Sequence, residues 1–229
     1  CLSRGLGDVY KRQVYDRSYP PATTDFTPII RALAAAGPDI VYVASFPPDS
    51  VGIIRAANEL GLKTRMFGGG MVGIPTAQLK MQLGPLLNGI VNVEWWLPAP
   101  TMQFPGVAQF IAAYQSRAPA EGVDPLGYFL PPYAYAELQM LGDAVAATGS
   151  LGQDALARYI HRATFHTVVG EVRFGEDGEW AQPRPLWVQF RNISGNGLEQ
   201  FKGKAMEVIL LPAAYKTGDL AYPYAAATP

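Results

Sequence analysis

The chain has 229 residues, of which 49% are hydrophobic and 16% charged, and its formal net charge is −1. That composition can fill a sizeable core, while near-neutral charge leaves no global field to draw in nucleic acid or an anionic membrane. No apolar run approaches the roughly 18 residues of a membrane span, and a single cysteine excludes an internal disulfide and a cysteine-built zinc site.

At the N-terminus, Cys1 to Gly7 has no apolar h-region. Asp8-Val9-Tyr10-Lys11-Arg12-Gln13 back-translates as GAT GTG TAT AAG AGA CAG, which resembles a transposase mosaic end used in preparing sequencing libraries. Residues 1–13 are therefore expected to be adapter-derived, with native sequence from Val14 and no packed contribution from the segment before it. The competing reading of Cys1 is the lipidated cysteine of a lipoprotein.

From Val14 the pattern alternates. Val14-Tyr15 reads as the tail of a strand. Thr24-Asp25 supplies an N-cap, and Phe26, Ile29, Ile30 and Leu33 recur at helical spacing until Gly37-Pro38. Asp39 to Ala44 is an apolar run of strand length, the pattern of a strand buried on both faces of a parallel sheet. A loop over Ser45 to Pro48 leads to a helix capped by Asp49 or Ser50, with Val51, Ile54, Ala57 and Leu60 on one face. Thr64 to Phe67 is a short strand ending in Gly68-Gly69-Gly70, Leu79 to Leu87 a short helix broken at Gly84-Pro85, and Ile90 to Trp96 a strand. The order α-β-α-β-α-β predicts a parallel sheet with right-handed crossovers. After Pro98-Ala99-Pro100, helices are predicted over Gly106–Arg117, Pro131–Thr148 and Gln153–Ala163, the middle one with Tyr135, Leu138, Leu141 and Val145 on one stripe. Glu171–Phe174, an Asp177-Gly178 turn, and alternating runs at Leu186–Phe190 and Met206–Leu210 are hairpin-like.

Gly68 to Gly73 matches G-x-G-x-x-G, with Glu94 about twenty residues on. A dinucleotide loop would place Pro75 inside the following helix, where its ring clashes, and the strand before it carries Lys63 and Arg65. The pattern reads better as a glycine-rich loop shaped for close approach to something small. His161 and His166 lack metal-ligand spacing, and no serine sits in G-x-S-x-G, so no catalytic residue, metal or cofactor is assigned. Trp95-Trp96 places adjacent rings on opposite sides of a strand, one toward the core and one toward a cleft, or both in the core. Ligands of open α/β sheets bind beyond the carboxyl ends of the strands. That rule selects Ser45, Phe46 and Pro47, then Gly69, Gly70 and Met71, then Glu94 and Trp95: an apolar, aromatic wall without a nucleophile or acid–base pair.

Three stretches carry a resemblance: Asp25 to Ile30, Gly37 to Tyr42, and Ile54 to Leu62. Tyr128 to Ala147, and Val169 to Phe174 followed by Asp177-Gly178, extend it, so that it covers Val14 to Pro212. Together they resemble the leucine/isoleucine/valine-binding proteins that serve ABC importers. The resemblance implies an α/β, two-lobed periplasmic-binding-protein-like fold with parallel sheets, here truncated so that the first lobe lacks its central strands. It divides the chain into a second-lobe portion (14–97), helices of the first lobe (98–168) and a return to the second lobe with an extended tail (169–229). It implies an extracytoplasmic, non-enzymatic protein, periplasmic or lipid-anchored, whose partners are a small solute and the permease subunits. Phe46 falls where such proteins set an aromatic ring on the ligand. Gly70 falls where amino-acid binders carry the glutamate that meets the ligand's ammonium, so either Glu94 supplies that charge or the ligand has no amine. The other readings are an amide-type sensor of the same fold and a nucleotide-dependent enzyme.

Overall fold

The computed structural model describes residues 12–203 and 205–224. Cys1 to Lys11, which hold most of the expected adapter segment, lie outside the described residues; Arg12 and Gln13 are exposed.

Helix α1 (Thr27–Ala36) starts with the Thr27 amide donating to Asp25 Oδ1 at 2.9 Å. It ends at Gly37, whose left-handed backbone (φ 59°) lets its amide reach Leu33 O. Ile30 and Leu33 turn inward. Strand β1 (Ile40–Ser45) alternates: Val41, Val43 and Ser45 are buried, while Ile40 and Tyr42 are each 61% exposed. The expected burial on both faces is not found, because no described element covers the second face. Helix α2 (Pro47–Glu59) begins earlier than its charge pattern predicts. Pro47 and Pro48 occupy the first turn, where no amide donor is needed. Ser50 is therefore inside the helix, donating to Phe46 O at 2.9 Å and sharing a 2.8 Å hydroxyl contact with Ser45.

Strand β2 (Met66–Met71) runs through the triple glycine instead of ending at it. Helix α3 (Ala77–Leu83) and a 3-10 turn (Gly84–Leu87) lead to β3 (Val91–Glu94). Strands β1, β2 and β3 pair in parallel, as the α-β alternation predicts. The chain leaves the sheet at Trp95 and forms α4 (Val107–Glu121), α5 (Pro131–Thr148) and α6 (Gln153–Arg162). A two-stranded ribbon follows, β4 (Thr164–Thr167) against β5 (Gly170–Arg173). β4 carries no strand pattern of its own in the sequence, and the Asp177-Gly178 turn closes only a single bridge, Phe174 to Trp180. Then β6 (Leu186–Phe190), a short helix α7 (Leu198–Phe201) and β7 (Glu207–Leu211) return to the first sheet. Its order is β1-β2-β3-β6-β7, the last two joining antiparallel.

Trp96 joins the two parts. It is fully buried, its Nε1 donates to Val168 O at 2.9 Å, and its ring meets Phe110 edge-on at 6.3 Å. Tyr133 adds a bond from its hydroxyl to Trp95 O at 2.7 Å.

The apolar stripe predicted for α5 faces outward. Tyr135, Leu138 and Leu141 are 44%, 67% and 44% exposed. Uncovered stripes of this kind attract hydrophobic ligands. The 229-residue chain is expected to bind a dye that fluoresces on apolar surface. Leu138→Gln combined with Leu141→Gln is expected to cut that signal; an unchanged signal would put the dye elsewhere.

Candidate functional site

Beyond the carboxyl ends of β1, β2 and β3 the chain presents a wall built from few side chains. Ser45 pairs in register with Met71, and Gly69 with Asn92, so the three strands end close together. Asn92 holds β2 beyond that point, accepting the Met71 amide on Oδ1 at 2.9 Å.

The glycines answer to the sheet rather than to a ligand. Gly68 and Gly69 have φ of 154° and 146°, and a Cβ at Gly68 would stand 1.7 Å from Val91 O. At Gly69 it would stand 2.4 Å from Val43 O. The close approach is to neighbouring strands, so the G-x-G-x-x-G spacing marks a strand that only glycine can form. Gly70 differs. A Cβ there would meet only the Tyr42 hydroxyl, at 3.2 Å. The Tyr42 ring leans over the glycine floor to within 6.4 Å of the Trp187 ring on β6.

Of the expected wall residues, Phe46 (69% exposed) and Trp95 (48% exposed) present their rings to solvent, and Pro47 and Gly70 are half-buried. Ser45, Gly69 and Met71 are buried behind them.

Glu94 is also buried and turned onto a lysine. Lys80 of α3 lies between two carboxylates, 2.6 Å from Glu207 Oε1 and 3.3 Å from Glu94 Oε1. Lys80 and Glu94 are wholly inaccessible. The Tyr128 and Phe190 rings close the site, 5.9 and 5.7 Å from the ammonium. Burial pulls the Lys80 ammonium down, but the Glu207 and Glu94 charges outweigh it and set it above its ordinary value. Burial pushes Glu94 well above the usual carboxylate range; the Lys80 charge opposes this and the Glu207 charge adds to it. Lys80 and Glu207 belong to no motif in the sequence. One signal was there: Lys80 is the only charged residue between Met66 and Val93.

His161 lies in the last turn of α6 and, with Glu171, Arg173, Phe174 and Trp180, lines an open trough of about 560 Å³. Among the described residues no three His, Cys, Asp or Glu gather as a metal site, and no helix is long and apolar enough to cross a membrane.

A mixed sheet thus ends at the exposed rings of Phe46 and Trp95, and the buried Trp96 carries the chain on into a helical unit. The chain matches the model of the periplasmic binding protein family over residues 9–189 and belongs to that family. It is 30% identical to Leu/Ile/Val-binding protein homolog 1 of Brucella suis over 156 residues, 68% of this chain and 39% of the relative. The crystal structure of a leucine-binding protein from Thermotoga maritima superposes with a TM-score of 0.61 at 20% identity, over 77% of this chain and 48% of that one. That of an amino acid ABC transporter substrate-binding protein from Pseudomonas fluorescens Pf-5 gives 0.64 at 16% identity, over 91% and 54%. The chain thus spans well under two thirds of the length of these relatives, and the α/β fold it describes is the corresponding part of theirs.

Proposed function

We propose that this chain is part of the substrate-binding component of an ABC importer, working outside the cytoplasmic membrane and delivering an amino acid or related small organic solute to permease subunits. The observation that carries the reading is the family match through residues 9–189. The names of the relatives, Leu/Ile/Val-binding and amino acid substrate-binding, support that solute class. The protein is periplasmic or lipid-anchored in this reading, and it binds without catalysing: the strand-end wall offers ring faces and main-chain groups, chemistry suited to holding a ligand.

Within that reading, Phe46, Pro47, Gly70 and Trp95 form the face of one cleft wall, and Ser45, Gly69, Met71 and Glu94 support it from behind. Glu94 is committed to Lys80, so it does not supply the ammonium partner, and Gly70 cannot. The solute's amine is therefore met elsewhere in the cleft or is absent.

Calorimetric titration of a full-length protein carrying these residues tests the wall. Phe46→Ala is expected to weaken solute binding by about 1–3 kcal/mol, the worth of an aromatic contact that becomes buried on binding. It is expected to leave stability nearly unchanged, since the ring is exposed without ligand. Gly70→Glu is expected to strengthen binding of zwitterionic amino acids and weaken binding of amine-free acids. If neither change alters any affinity, the wall lies on other residues.

A further inference from the structure

We propose that the Lys80–Glu94–Glu207 cluster is a proton-binding site: at neutral pH it holds one proton on Glu94, which donates a hydrogen bond to Glu207 and leaves the cluster electrically neutral. The geometry demands a partner of this kind. Two carboxylates face one ammonium in a site where Lys80 and Glu94 are fully buried and Glu207 nearly so. Ionised together they would leave one uncompensated negative charge in the core, which is strongly unfavourable. Both oxygens of Glu94, and Oε2 of Glu207, are buried without a hydrogen-bond partner among the described residues. One proton removes both defects. It turns a Glu94 oxygen from an orphaned acceptor into a donor, and Oε2 of Glu207 is the acceptor left over. Glu207 keeps its charge against Lys80 at 2.6 Å, the shorter of the two contacts.

The titratable and charged groups around Glu94 are Lys80 from α3, Glu207 from β7, and the Tyr128 phenol from the connection before α5. The site stands where β3 ends and the chain crosses through Trp95 and Trp96 into the helices. Asp124 of the α4–α5 connection meets the start of α3, accepting the Ala77 amide at 2.7 Å. The proton therefore stabilises the junction between sheet and helical unit.

Folding raises Glu94 above its ordinary value of 4.5. The native state then binds more protons than the unfolded one, and stability falls as pH rises from there through the folded value. Infrared spectra of the full chain at neutral pH are expected to show a carboxylic-acid C=O band that disappears in Glu94→Gln. The Gln variant mimics the neutral acid. It is expected to unfold at the same or a higher urea concentration than the parent at neutral pH, and to lose the parent's decline as pH rises above the ordinary carboxylate range. Should Glu94→Gln fail to fold, Glu207→Gln decides: with one carboxylate left, Glu94 ionises against Lys80 and the acid band vanishes. The proposal is overturned by an acid band missing from the parent, by a band that survives in either variant, or by a Glu94→Gln protein that keeps the parent's pH decline.

Discussion

Lys80→Met is expected to lower the unfolding free energy by about 3–5 kcal/mol, the range for removing one partner of a buried ionic cluster. The methionine fills much of the same volume, so cavity formation is small and electrostatics decides the outcome. Glu94 and Glu207 would be left facing each other without the cation that now lies 3.3 and 2.6 Å away. The contacts of the ammonium with the Tyr128 and Phe190 rings go as well. Because the Lys80 ammonium is held above its ordinary value of 10.5, its contribution is present in full below that pH and is lost as pH rises through the higher folded value. Lys202 is the control. It meets Glu199 at 2.7 Å on the surface, where that carboxylate side chain is 80% exposed, and Lys202→Met is expected to change stability by less than about 0.5 kcal/mol. Urea unfolding of both variants makes the comparison; equal losses would mean that the buried cluster contributes nothing special.

Gly68→Ala is expected to cost on the order of 4 kcal/mol or more, enough to prevent the sheet from forming. The added Cβ would stand 1.7 Å from Val91 O and 2.8 Å from Val91 N, and neither can swing away because both belong to the adjacent strand. The backbone itself, at φ 154°, is one that residues with a side chain rarely take. Gly70→Ala, two residues along the same strand, is expected to change stability by less than about 1 kcal/mol. Its Cβ would meet only the end of the Tyr42 side chain, at 3.2 Å. Circular dichroism with denaturant titration of the two variants reads the difference. A loop reading of the glycines predicts similar, mild effects at both positions, and such a result would contradict the strand.

Local pattern carried far in this chain because its signals are short-range. The Gly37 stop of α1, the apolar run of β1, and α5, opened by Pro131 and Pro132 and closed by the left-handed Gly149, follow from backbone sterics and side-chain spacing within a few residues. The α-β alternation was enough to predict parallel pairing of β1, β2 and β3, since crossovers of that length permit little else. The resemblance to leucine/isoleucine/valine-binding proteins was legible in the same stretches, and the family match agrees.

What the tertiary structure alone decided concerns which partner each residue meets. The glycine run reads equally well as a loop or a strand until Val43 and Val91 are seen on either side of it. Glu94 reads as a polar group at a strand end and becomes part of a buried cluster only because Lys80, on α3, and Glu207, far along the chain, converge on it. The two tryptophans were distinguishable as a pair but not individually: Trp96 is the buried one because Val168 O, Phe110 and Tyr128 receive it. The stripe on α5 is a set of apolar residues at helical spacing, yet spacing never says what lies against a face, and here Leu138 and Leu141 stand exposed. Sequence determines local conformation and the chemistry of a face; long-range contacts determine whether that face is core, wall or surface.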